Sequence, residues 1–262
     1  MNNPRTYGQV PFHIAVIHGG PGAAGEMRPV ARDLSTTIGI LEPLQTQKSV
    51  QGQIDELADV LKTHADLPVT LIGHSWGAWL AYFLAAEHPE LVHKLILVGA
   101  PAFEQKYVKN LSDTRMSRLT PAERDEIDSL FKQLEDSTVT QEQKNVHFAR
   151  FGSLFSKTDT YDPIDEPRET INVQADIYNC VWPQADELRK SGRLLEIGKS
   201  IRCPVLAIHG EYDPTPAAGI ESPLKNIIKN FRFIILKNCG HTPWIERQAR
   251  LNFYEILKTE LG

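Results

Sequence analysis

An α/β fold is what the 262-residue sequence predicts: a mainly parallel sheet of about six to seven strands, flanked by helices, with an inserted helical cap. Three observations carry this. Short strand-like runs recur with helical patterns between them, the alternation that builds parallel sheets. The runs are nearly continuous in apolar residues, as in Leu95-Ile96-Leu97-Val98 and Val205-Leu206-Ala207-Ile208, which suits central strands covered on both faces. Between about residues 103 and 200 the strand signal disappears and only helix signals continue.

The strand-like runs fall at 12–18, 38–41, 69–73, 94–99, 205–209 and 231–236. Residues 49–64 place Val50, Ile54, Leu57, Ala58 and Leu61 on one helical face, and 76–87 is so apolar that it reads as a buried helix. At the end, 244–261 carries Ile245, Ala249, Phe253, Ile256 and Leu257 at the spacing of a helix packed on the sheet. Within the insertion, Thr120-Pro121-Ala122-Glu123 has the form of a capping box with proline at the first helical position. Thr140 and Gln143 repeat the box, and a third helix at 185–190 is ended by Gly192. The Pro-rich segment 161–167 reads as a loop crossing within the cap. The expected organisation is therefore a core of residues 1–102 and 201–262 with a helical cap, or lid, at 103–200.

Composition narrows the function classes. Hydrophobic residues make up 41% and charged residues 23%, ordinary for a folded chain, and the net charge of −5 comes without a basic cluster. Nucleic acid is not an expected partner. No signal-peptide core or membrane-length apolar stretch is present, so the expectation is no membrane and a cytoplasmic location. Cys180, Cys203 and Cys239 lack paired spacing, which predicts reduced thiols, with Cys239 a small buried filler. His64, His88, His93 and His147 lack metal-ligand spacing, and no dinucleotide or phosphate loop occurs. No cofactor and no metal are expected, and nothing indicates the oligomeric state.

The chemistry concentrates in a few residues. Gly73-His74-Ser75-Trp76-Gly77 follows a strand and opens a helix, the setting of a nucleophile elbow, where glycines permit a strained serine. A serine hydroxyl needs a base, and the base needs an orienting acid. His241 follows the last strand and Asp213 the one before, so all three lie at carboxyl ends of parallel strands, where such sheets bind ligands. Glu211 is an alternative carboxylate. Backbone N–H groups of Gly20, in His18-Gly19-Gly20-Pro21-Gly22, and of Trp76 are the candidate oxyanion hole.

In this order, His18-Gly19-Gly20-Pro21-Gly22, Gly73-His74-Ser75-Trp76-Gly77, Asp213 and His241 resemble the α/β-hydrolase superfamily. The first motif followed by Ser-Trp-Gly is similar to the proline iminopeptidase branch, whose members remove N-terminal proline; related branches cleave esters, lactones or carbon–carbon bonds. The resemblance implies the α/β-hydrolase fold and a serine hydrolase acting on a small molecule or short peptide. The chain departs from the family in two places. Few residues precede the first core strand, so the leading strands are expected to be shortened or missing. Residues 41–49 read Leu-Glu-Pro-Leu-Gln-Thr-Gln-Lys-Ser where an Asp-x-Arg-Gly-x-Gly loop is common.

Within the cap, Glu166, Glu169, Asp176 and Asp186 are available to a substrate amine, though solvated charge explains them as well. His18, Phe103, Tyr178 and Trp182 are candidate pocket residues, with Phe151 and Phe155 available as further aromatic lining; a cap core needs such aromatics too. A small ester or amide is the expected substrate. An aminopeptidase, a carbon–carbon bond hydrolase and a non-catalytic ligand receptor remain as alternatives.

Overall fold

The computed structural model describes residues 3–165 and 171–262. Its strands are β1 (Arg5–Tyr7), β2 (Ile14–Ile17), β3 (Ala23–Ala24), β4 (Ile40–Glu42), β5 (Val69–His74), β6 (Val92–Val98), β7 (Asn172–Val173), β8 (Val205–Gly210) and β9 (Phe231–Leu236). Its helices are α1 (Arg28–Leu34), α2 (Val50–His64), α3 (Trp76–Glu87), α4 (Val108–Ser117), α5 (Pro121–Glu135), α6 (Gln141–Asp159), α7 (Ala175–Lys190), α8 (Arg193–Gly198), α9 (Ala218–Ile227) and α10 (Arg250–Leu261).

Seven strands form one sheet in the order β1-β4-β2-β5-β6-β8-β9, parallel throughout except for β1 on β4. Period-2 alternation divides the buried side chains between two layers. Ala15, Ile17, Leu95 and Leu97 pack with α2 and α3; Ile14, Val16, Ile96 and Val98 pack with α1 and α10. The α3 helix lies deepest, with ten of its twelve residues buried, which is why no amphipathic stripe is visible in its sequence.

From Val98 to Val205 the chain runs through α4 to α8, and both capping boxes are formed there, Thr120 with Glu123 and Thr140 with Gln143. Leu119, Ile127, Leu130, Phe151 and Leu154 make a small core of their own.

Several elements differ from expectation. Residues 5–7 supply an antiparallel edge strand that the sequence did not announce, anchored by Tyr7 Oη donating to the buried Glu42 carboxylate at 2.7 Å. The helix expected at 185–190 begins ten residues earlier, at Ala175, and tolerates Pro183 inside it. The final helix is preceded by a 3-10 turn at Pro243–Ile245, so α10 starts only at Arg250. Residues 161–165 do not cross within the helical segment. They dock on the other end of the chain, where Glu246, fully buried, accepts the N–H groups of Tyr161, Asp162 and Gly240 at 2.8–2.9 Å. Glu166 and Pro167 of that segment lie outside the described residues.

Candidate active site

Ser75 stands between β5 and α3 at φ 52°, ψ −121°, one of two non-glycine residues with positive φ among those described. Such a conformation costs on the order of 1–3 kcal/mol and persists only when the surroundings enforce it. Here they do. A Cβ on Gly73 would lie 2.2 Å from the Gly77 carbonyl oxygen, and one on Gly77 would lie 2.2 Å from the Ile17 oxygen. The turn is thus wedged against β2, with Ser75 N–H donating to Val98 O at 3.0 Å.

Asp213 follows β8 and is buried. Its Oδ2 accepts a hydrogen bond from His241 Nδ1 at 2.6 Å and its Oδ1 the Thr215 N–H at 2.8 Å. Glu211 is exposed, so Asp213 and not Glu211 is the carboxylate that meets the imidazole. Burial alone would raise the Asp213 carboxyl and depress the His241 ring. The charge attraction and hydrogen bond between them outweigh burial on both sides, holding Asp213 well below the carboxylate range and His241 above its ordinary value. With Nδ1–H committed to Asp213, Nε2 is the nitrogen left for a hydroxyl. Among the described residues, Ser75 Oγ and the His241 ring are not joined by a hydrogen bond. Such bonds are often long before substrate arrives.

The oxyanion candidates are positioned by backbone geometry. Gly20 adopts φ +114°, and a Cβ there would lie 2.7 Å from the Ala23 and Gly22 nitrogens. Trp76 opens α3, whose first N–H groups have no partner within the helix. His18, by contrast, is interior. Its Nδ1 lies 2.9 Å from Gly19 O, its Nε2 accepts the Gln45 N–H at 3.3 Å, and burial lowers its pKa, all consistent with a neutral ring bracing the loop. Gln45, from the segment that departs from the family pattern, adds a bond from Nε2 to His18 O at 2.7 Å.

The other pocket candidates divide. Phe103 is buried against Trp79 and Tyr82. Trp182 is partly exposed and stacks between Trp79 and Tyr178, at centroid distances of 5.9 and 6.0 Å. A hollow of about 300 Å³ includes Phe103 and Arg189 in its wall, and another of about 360 Å³ includes Tyr178, Phe148 and Phe151. Neither wall contains Ser75, Asp213 or His241. Phe155 packs on Phe151 and beneath the Arg115 guanidinium. Asp176 is taken up by Lys48 at 2.8 Å, and Asp186 by Arg189 and Lys190. Glu166 and Glu169 lie outside the described residues. Cys239 is fully buried, and burial pushes its thiol up. Among the described residues no cluster of three or more His, Cys, Asp or Glu is arranged to hold a metal, and no helix is long and apolar enough to cross a membrane.

Three neighbours of the candidate site carry no signal in the sequence as site residues. Glu26 Oε2 accepts the Gly19 N–H at 2.7 Å and lies 3.0 Å from His74 Nδ1. His74 Nε2 in turn lies 3.0 Å from His241 O. Asp159, at the end of α6, receives the His241 N–H on its main-chain oxygen at 2.7 Å while Arg115 clamps its side chain. For Glu26 the only signal was its place eight residues after His18, which has no period or motif to mark it.

A seven-stranded sheet carrying a strained serine at a strand–helix turn, with an acid–imidazole pair at the ends of two later strands, defines an α/β hydrolase. The α/β-hydrolase fold family model matches residues 48–248, and the chain belongs to that family. It is 25% identical to a proline iminopeptidase of Heyndrickxia coagulans, over 89% of this chain and 85% of that protein. It is 22% identical to a pimeloyl-[acyl-carrier protein] methyl ester esterase of Nitrosomonas europaea, covering 73% of this chain and 71% of that one. The crystal structure of VinJ superposes with a TM-score of 0.69 at 19% identity, covering 98% of this chain and 93% of VinJ, which speaks for the fold.

Proposed function

We propose that this chain is a serine hydrolase that works in the cytoplasm, cleaving a small-molecule ester or amide through a Ser75–His241–Asp213 triad and an acyl-enzyme. The observation that carries the reading is the 2.6 Å bond between His241 Nδ1 and Asp213 Oδ2, present in the same sheet edge as a serine held at φ 52°. Ser75 Oγ attacks the carbonyl carbon while His241 Nε2 takes its proton. The carbonyl oxygen becomes the oxyanion and is stabilised by the N–H groups of Gly20 and Trp76. As the tetrahedral species collapses, His241 returns that proton to the leaving alcohol or amine, and the acyl group stays on Ser75. Water then attacks with His241 as base, releasing the acid and the free serine.

A proline iminopeptidase-like activity is the second reading, supported by the 25% identity to the Heyndrickxia coagulans protein. It stands second because Asp176 and Asp186 already have cationic partners. The test is fluorophosphonate labelling with mass spectrometry, followed by a turnover screen of acyl esters, lactones and aminoacyl amides. Labelling of Ser75, and turnover abolished in Ser75→Ala, are the expected results. Preference for prolyl amides promotes the second reading, and an unlabelled Ser75 in folded protein overturns the first.

A further inference from the structure

Glu26 and His74 sit at the centre of the site, yet the triad chemistry uses neither. The His74 ring is fully buried, its Nδ1 3.0 Å from Glu26 Oε2 and its Nε2 3.0 Å from the main-chain oxygen of His241. A carbonyl oxygen only accepts, so Nε2 carries a proton. Glu26 Oε2 is already an acceptor for the Gly19 N–H at 2.7 Å, and an ionised carboxylate requires a second proton, on Nδ1. A ring that donates at both ends is an imidazolium. A buried charge persists only when paired, and this one is matched one to one by Glu26.

We propose that Glu26 and His74 are positioning residues, a standing carboxylate–imidazolium pair that ties the oxyanion loop, the nucleophile elbow and the catalytic-histidine loop to one another. The pair reaches the first through Gly19 N–H, the second through the residue preceding Ser75, and the third through His241 O. Gly19 adjoins Gly20, and a Cβ at Gly19 would lie 2.5 Å from Glu26 Oε2 and 3.1 Å from Ser75 Cβ, so carboxylate and nucleophile flank the same backbone atom. Burial would raise the Glu26 carboxyl; the attraction of His74 outweighs it and brings Glu26 down to about 2. The groups that face His74 are Glu26, the His241 ring with its Asp213 partner, and the uncharged Trp244, both rings at centroid distances of 4.7 Å. His18, the other nearby imidazole, is held neutral by burial.

The charge has a geometric purpose. Gly19 N–H and His74 Nδ1 meet the same atom, Oε2; glutamine puts there either its oxygen, so that a neutral His74 with one N–H must choose between residue 26 and His241 O, or its NH2, so that Gly19 N–H loses its acceptor. One of the three loops is then released.

The consequence for turnover rests on the hydrolase reading; the protonation state of His74 does not. The experiment is long-range ¹H–¹⁵N NMR of the histidine rings in wild-type, Glu26→Gln and Ser75→Ala protein, with His74→Gln for assignment. Wild type and Ser75→Ala are expected to show both His74 nitrogens protonated at neutral pH. Glu26→Gln is expected to show a single proton at neutral pH. With 4-nitrophenyl acetate, the same variant is expected to lose roughly 10- to 100-fold in kcat while KM stays within about 2-fold. A neutral His74 in the wild type at neutral pH overturns the proposal, as does a folded Glu26→Gln with wild-type kcat. Should Glu26→Gln not fold, the wild-type spectrum at neutral pH decides alone. If no substrate is turned over at all, the hydrolase reading falls and the His74 signals still test the pair.

Discussion

In the proposed reaction His241 serves as base only while its ring is neutral, and the Asp213 carboxylate holds its pKa above the ordinary value. Activity therefore rises with pH through that raised pKa, so the acid limb of the kcat/KM profile belongs above the usual histidine range. Asp213→Asn removes the charge that favours the imidazolium and also lets the ring adopt the wrong tautomer. The expected outcome is an acid limb displaced to lower pH together with a loss of about 10⁴-fold in kcat/KM, read from initial rates across pH. A limb that stays in place in this variant would mean that His241 is not the titrating base. The same scale shows where sequence reading stops. Ser75, Asp213 and His241 carry motif and strand-end signals, whereas Glu26 and Glu246 are defined by whom they meet across the fold and belong to no motif.

Secondary elements were legible wherever their signal is local. The strands β5, β6, β8 and β9 and the helices α2, α3, α5 and α6 follow from apolar runs, helical periodicity and the two capping boxes. Elements that depend on distant partners were not. The β1 strand exists because β4 offers it an edge, and β3 pairs with β7 at a great distance in sequence, as in Ala23 with Val173. The early start of α7 was hidden by polar residues and by Pro183. At this scale the Arg115–Asp159 contact is the informative one. Arg115→Ala leaves the nearly buried Asp159 carboxylate without its cation at the end of α6, a loss on the order of 3 kcal/mol. Because Asp159 also holds the His241 N–H, urea stability and kcat are expected to fall together. Arg150→Ala, which breaks an exposed pair with Glu126, is the control and should leave the urea midpoint where it is. Equal effects of the two substitutions would refute the assignment.

For the molecule as a whole, depressed carboxylates link the site to acid stability. Glu26 and Asp213 both ionise more readily in the folded chain than in the unfolded one. Their stabilisation is fully present above the ordinary carboxylate pKa near 4 and is lost as pH falls toward about 2. Circular dichroism against pH should show an acid transition in the wild type that is shallower in Glu26→Gln, which has one fewer such group; identical slopes would contradict the linkage.

The bond from His241 N–H to Asp159 O has a further consequence. A Cβ at position 240 would lie 2.0 Å from that same oxygen, so glycine is what lets α6 end directly on the histidine loop. The end of α6 and the loop that carries the proposed base are thereby coupled by position. A chimera that grafts helices from a different hydrolase onto this sheet must bring a matching helix end with them, or it will trade a new specificity for a displaced base.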